Sequence, residues 1–201
     1  MEDWQTEQLV ENVRDGAVFI YPTDSYFGLG CSIYSTEALD MVYRIKGRSE
    51  DRPVPILLDQ ADLDQLVSPE AVEQQAIDQF WPGDLTLVIE TDQPDSWDQR
   101  LVEDGSMVLR SPGLEPLRDF LARVGPIVVT GANVDGKPAP ARLEDVHPQL
   151  LSEVDFVLGD SAGEGELSTV AGWDPSTKEW IVYRPGSVWR DQLPVETRAR
   201  S

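Results

Sequence analysis

The hydrophobic positions along the chain switch between two periods. Leu9, Val10 and Val13 recur at helical spacing within 4–14, and Gly16 follows as a stop signal. Residues 17–21 (AVFIY) are an unbroken apolar run ending at Pro22, the pattern of a buried strand. Ala38, Leu39, Val42 and Ile45 share one face of a helix predicted over 36–46, with Ser35 as its N-cap. Residues 54–58 predict a short strand in which Pro55 marks an edge or an irregularity. Helices are expected near 60–66 and 69–80, the second opened by Pro69-Glu70. Further strands are predicted at 84–90, 107–110, 127–130, 156–158, 168–171 and 180–183, and helices at 114–124 and 142–151. The stretch 92–105 reads as a polar loop, and 190–201 as a loose, charged tail. Strands and helices mixed in this way predict one α/β domain over 1–201, with a core from about 6 to 188, built on a single mixed sheet.

Composition narrows the class. The 201 residues suit one domain, and a hydrophobic content of 40% is too high for a disordered chain. No apolar run approaches the ~20 residues a membrane helix needs. The start, Met1-Glu2-Asp3-Trp4, is acidic and polar, unlike a secretory signal. Cys31 is the sole cysteine, which excludes an internal disulfide and argues against a cysteine-based metal site. A cytoplasmic protein is expected. The net charge is -21, with only three lysines, Lys46, Lys137 and Lys178. Such a surface repels nucleic acid phosphates, so direct nucleic-acid binding is not expected. Acidic, lysine-poor surfaces also fit adaptation to high salt, where self-repulsion is screened.

The distribution of the cations changes the picture. Residues 53–99 contain no lysine or arginine, yet Arg44 to Arg52 (RIKGRSEDR) hold four of the sixteen. One reading is a solvated helix end, where cations favour the macrodipole. The other is a polyanion site in which Lys46 and Arg48 flank Gly47 and grip phosphates. In residues 20–31 (IYPTDSYFGLGC), Thr23, Asp24 and Ser25 follow a buried strand, where ligands bind in α/β sheets. The Gly28-x-Gly30 pair lacks the third glycine of a dinucleotide fingerprint. The loop within 128–140 (VVTGANVDGKPAP) offers Thr130, Gly131 and Asn133, with a plain Asn/Gly turn as the simpler reading. Arg110 at a strand end is either an ion-pair partner or an anion anchor. His147, the only histidine, reads as surface structure. There is no nucleophile elbow, no phosphate-binding P-loop and no zinc-binding motif.

Taken together, the short motifs resemble the YrdC-like family, and within it the threonylcarbamoyl-AMP synthases. The match runs in order from about residue 6 to 188: Tyr21-Pro22-Thr23-Asp24-Ser25 with Gly28-Leu29-Gly30, Lys46-Gly47-Arg48-Ser49, and Pro53-Val54-Pro55-Ile56. It continues through Trp81-Pro82-Gly83, Leu85-Thr86-Leu87, Val108-Leu109-Arg110, Ala132-Asn133, Gly136-Lys137-Pro138, Ser168-Thr169-Val170 and Arg184-Pro185-Gly186.

The resemblance implies a twisted open mixed sheet flanked by helices, with a concave ligand cleft. It implies an enzyme that makes threonylcarbamoyl-AMP and pyrophosphate from L-threonine, bicarbonate and ATP, with magnesium accompanying the phosphates. The product would pass to a tRNA-modifying transferase complex. Thr23, Arg110 and Ser168 would hold threonine. Lys46, Arg48, Asn133 and Arg184 would hold ATP, with Lys46 and Arg48 as the catalytic cations and Ser106 at a nucleotide-binding position. No protein metal ligand is implied. Two family serines are absent: this chain has Gly131 and Ala139 there. Two alternatives stand beside this reading. One is a paralogue that carries carbamoyl and adenylate chemistry to another acceptor. The other is a non-catalytic RNA- or ribosome-binding relative, which the charge disfavours.

Overall fold

The computed structural model describes residues 6–134, 136–163 and 165–195. Helix α1 spans Glu7–Arg14, capped by the Thr6 hydroxyl, which accepts the Leu9 N–H at 3.4 Å. Its buried face is Leu9, Val10 and Val13, as the spacing requires; residues 4 and 5 of the expected helix lie outside the described residues. Strand β1 (Phe19–Pro22) is buried throughout and pairs antiparallel with β2 (Phe27–Gly30). Helix α2 (Thr36–Lys46) begins at Ser35, whose hydroxyl accepts the Ala38 N–H at 3.2 Å. It ends at Gly47 in the left-handed conformation, φ 66°.

Strand β3 is only Ile56–Leu57. A 3-10 turn over Gln60–Gln65 replaces the first expected helix, and α3 (Ala71–Phe80) follows with Glu70 and Glu73 closing a reciprocal cap. Then come β4 (Leu85–Glu90), β5 (Ser106–Arg110), α4 (Glu115–Val124), β6 (Ile127–Val128) and β7 (Thr130–Gly131). Helix α5 is Pro148–Glu153, shorter and later than the predicted 142–151, with a 3-10 turn at Leu143–Asp145 before it. Strands β8 (Phe156–Val157), β9 (Thr169–Asp174) and β10 (Glu179–Arg184) complete the order.

The pairing differs from the single sheet expected. Four strands run in the order β7-β2-β1-β8 and six in the order β10-β9-β4-β5-β3-β6. The apolar run 127–130 contributes β6 to one sheet and β7 to the other, with Val129 between them. Pro55 does not mark an edge, because β3 lies between β5 and β6. It stands just before the paired residues, where its missing N–H costs no ladder bond, and its carbonyl accepts the Val129 N–H at 2.8 Å.

Two apolar clusters hold the layers. Helices α1 and α4 pack Leu9, Val13, Leu117, Phe120 and Leu121 against Phe19, Tyr21 and Phe156 of the smaller sheet. The larger cluster joins α2, α3 and α5 to the rest. In the six-stranded sheet, Leu85, Leu87, Ile89, Met107, Leu109 and Ala171 are fully covered on one face. The opposite face, carrying Thr86, Val88, Val108, Arg110 and Val170, is less covered and forms the floor of the site. Trp189 is exposed, but Leu193 is buried and Trp180 Nε1 donates to the Pro194 carbonyl at 2.7 Å. Leu193 thus anchors the first part of the expected tail, while Arg190, Asp191, Gln192 and Val195 are exposed; 196–201 lie outside the described residues.

Candidate functional site

Strand β1 delivers the turn Pro22-Thr23-Asp24 to the edge of this floor. Thr23, 4% exposed, uses its hydroxyl as a knot: Oγ1 donates to the Tyr26 carbonyl at 2.7 Å and accepts the Tyr26 N–H at 3.3 Å. Gly163 and Gly165 lie on this turn, with Gly163 N–H bonding Thr23 O and Gly165 N–H bonding Asp24 O, both at 2.9 Å. Strand β5 delivers Arg110, 8% exposed, from the other side. Its Nε donates to Gly83 O at 2.7 Å, and its Nη2 donates to Asp24 Oδ2 at 2.8 Å and to Asp84 Oδ1 at 2.9 Å. Two carboxylates and a carbonyl thus lock one guanidinium in place, leaving Nη1 without a hydrogen bond to any described residue.

Thr86 and Ser168 share a hydroxyl–hydroxyl bond of 2.7 Å. Arg184, at the end of β10, reaches across to Ser168: its Nη2 donates to the Ser168 carbonyl at 2.9 Å and to Oγ at 3.1 Å. Thr23, Asp24, Thr86, Arg110, Ser168 and Arg184 line one cavity of about 60 Å³, with Pro55, Leu57, Val129 and Val170 as apolar wall. That volume is far below the ~300–1,000 Å³ of pockets for drug-sized ligands, so the cavity by itself suits a small metabolite.

A second hollow of about 450 Å³ adjoins it through the shared Tyr26 and Arg184, lined also by Gly131, Asn133, Lys137 and Ala139. Lys46 supports its wall from beneath. Buried to 4% exposure, its ammonium donates to Gly131 O at 2.8 Å, Asn133 O at 3.0 Å and Asn133 Oδ1 at 2.8 Å. An ammonium removed from water needs such acceptors, and here they fix the 131–133 backbone. A Cβ built on Gly131 would stand 2.4 Å from Asn133 Oδ1 and 2.9 Å from the Ala139 Cβ. Positions 131 and 139, where the resemblance implies serines, therefore touch, and the Asn133 amide occupies the space a residue-131 side chain would need.

Of the predicted site residues, Thr23, Arg110, Ser168 and Arg184 meet in the first cavity, and Asn133 joins Arg184 in the second. Arg48 lines neither: its Nε and Nη2 donate to the carbonyls of Arg52 and Pro53. Ser106 is also apart. It lies four residues before Arg110 on β5, about 13 Å away along the strand. It faces a hollow with Glu103, Asp104 and Tyr183, and borders another of about 740 Å³, which carries Glu70, Glu73, Glu90, Asp92 and Asp174. That acidic lining repels a triphosphate.

Asp24, Thr86, Tyr26 and Gly165 belong to the site without having been singled out as site residues. Asp24 stood inside the strand-end motif, but nothing local in the sequence pairs it with Arg110, 86 residues away. His147 is surface structure as expected: exposed, it caps α5, its Nδ1 accepting the Gln149 N–H at 3.2 Å. Among the described residues no three His, Cys, Asp or Glu side chains are grouped to hold a metal, and no helix is long and apolar enough to cross a membrane.

A family model for Sua5, YciO and YrdC proteins, described as "Telomere recombination", matches residues 11–186. The chain belongs to the Sua5/YciO/YrdC family. It is 33% identical over 168 residues to a threonylcarbamoyl-AMP synthase of Pseudomonas fluorescens, covering 81% of this chain and 89% of that protein. It is 30% identical over 197 residues to the threonylcarbamoyl-AMP synthase of Bacillus subtilis, covering 95% of this chain and 56% of that protein. The crystal structure of Pyrococcus abyssi Sua5 complexed with L-threonine superposes with a TM-score of 0.81 at 25% identity, over 92% of this chain and 55% of that one. The chain thus spans about half the length of the Bacillus and Pyrococcus members and most of the Pseudomonas one. The fold is the mixed α/β arrangement of Sua5/YciO/YrdC proteins, sheets flanked by helices.

Proposed function

We propose that the protein is an L-threonylcarbamoyladenylate synthase, a single YrdC-like unit that joins L-threonine, bicarbonate and ATP and releases pyrophosphate and water. The observation that carries this reading is the pair of adjoining hollows bridged by Arg184: one of amino-acid size holding Arg110 and three hydroxyls, one larger and backed by Lys46 and Asn133. Relatives named for this activity and a threonine complex of a related protein support it.

The chemistry needs no protein nucleophile. The threonine amine adds to carbon dioxide derived from bicarbonate, giving a carbamate. A carbamate oxygen then attacks the α-phosphate of ATP, and pyrophosphate leaves. Both reactants are anions, so the protein's task is to bring them together with fixed cations and donors. In this reading Arg110 takes the threonine carboxylate and the Thr23–Ser168 side takes its hydroxyl. Arg184 sits where the two substrates meet. Lys46 acts chiefly by holding Gly131 and Asn133 toward the nucleotide, and Arg48, held by the Arg52 and Pro53 carbonyls, is given no contact in either hollow. Ser106 stands outside this assignment. Among the described residues no carboxylate cage for magnesium is present, and magnesium would enter with the phosphates of ATP. In this reading the product passes to a tRNA-modifying transferase and the reaction is cytoplasmic.

The test is pyrophosphate release from ATP with bicarbonate, measured with and without threonine and with other amino acids. Release that requires threonine is expected. Release driven by a different acceptor would assign the carbamoyl chemistry to another substrate, and no release under any acceptor would remove the enzymatic reading.

A further inference from the structure

Arg110 has more negative charge around it than one guanidinium needs. Asp84, 42% exposed in its side chain, and the Gly83 carbonyl already hold it from the solvent side. Asp24 adds a second carboxylate on the same Nη2, and unlike Asp84 it lines the cavity itself, its side chain 15% exposed. Its Oδ2 is spent on Arg110 and on the Gly113 N–H at 3.3 Å. Its Oδ1 makes no hydrogen bond to a described residue.

The charge inside the cavity is therefore mixed. Arg110 and Arg184 face it as cations, and Asp24 as an anion. A purely anionic ligand seated on Arg110 would meet the Asp24 carboxylate. A zwitterion would not: its carboxylate suits the open Nη1 of Arg110 and its ammonium suits Asp24 Oδ1. A cavity-lining carboxylate oxygen with unused lone pairs, next to an anchored guanidinium, has the charge order of an α-amino acid.

We propose that Asp24 is the acceptor for the substrate's α-ammonium group, so that the cavity selects zwitterionic amino acids through an Asp24–Arg110 pair. This rests on threonine being the ligand of this cavity, and it adds a residue to which no role had been assigned. A merely positioning role for Asp24 makes a different prediction, because Asp84 bonds the same Nη2 and serves as its control.

The experiment is calorimetric titration of the full chain with L-threonine and with 2,3-dihydroxybutyrate, in which a hydroxyl replaces the amine. Wild-type protein is expected to prefer threonine by about tenfold to a hundredfold, the size of one charge-assisted hydrogen bond. Asp24→Asn, which is isosteric, should erase that preference. Asp84→Asn should weaken both ligands alike and keep it. A preference retained in Asp24→Asn, or lost equally in Asp84→Asn, overturns the proposal. Equal wild-type affinity for the two ligands overturns it with no variant needed, even should Asp24→Asn fail to fold. Absence of threonine binding in wild type would instead remove the parent reading.

Discussion

Arg110 sets the geometry of the small cavity because three protein oxygens dictate where its guanidinium plane lies. Arg110→Lys keeps the charge but loses the fork that a carboxylate needs. The expected result is a rise of about tenfold or more in KM for threonine, with a smaller change for ATP; equal effects on both would show Arg110 misassigned. Gly30 is fixed by another kind of contact. A Cβ there would stand 2.1 Å from the Val128 carbonyl, against backbone that cannot swing aside. Tyr21 packs over the same glycine, and its hydroxyl bonds that carbonyl at 3.0 Å. Gly30→Ala should therefore cost about 1–3 kcal/mol of stability, read as a lowered Tm. An unchanged Tm would mean that β2 shifts without strain.

At the scale of elements, legibility followed how local the signal was. Helix α2 could be bounded from Ser35 to Gly47 because its cap, its apolar face and its stop are all within its own residues. Strand β2 was hidden, since Phe27-Gly28-Leu29-Gly30 has half the side chains a strand normally shows; what makes it a strand is its pairing with β1 on one side and β7 on the other, with Tyr21 packed over its glycines. The split of 127–130 between two sheets is likewise decided by partners far along the chain. Helix α3 carries a pH-dependent contribution. Burial pushes the Glu73 carboxyl up to about 7 from 4.5, against the hydrogen bond from the Glu70 N–H. The folded state thus holds the proton more tightly than the unfolded chain. The group's contribution is full below about pH 4.5 and is lost as pH rises through about 7. Glu73→Gln keeps an acceptor for the cap and removes the titration. Its Tm advantage over wild type should grow between about pH 5 and pH 8; a pH-independent difference would contradict the buried titration.

For the whole molecule, composition and charge were readable from the start, and so was the gathering of a few cations in an acidic chain. Their arrangement was not. Lys46 supports a loop, Arg48 is held by the carbonyls of Arg52 and Pro53, and Ser106 sits beside carboxylates, none of which follows from spacing. The net charge of -21 makes self-repulsion a global term, and salt screens it. Tm should rise between about 0.1 M and about 2 M KCl; a flat or falling Tm would remove the salt-adapted reading of the surface. In the proposed function the Arg110 cavity and the Lys46–Asn133 hollow hold threonine and ATP side by side for condensation. Incubation with ATP, L-threonine and isotopically labelled bicarbonate, followed by mass detection of the mixed anhydride, tests it most directly. Threonylcarbamoyl-AMP carrying the label is the predicted product; ATP left intact beside saturating threonine and bicarbonate would contradict it.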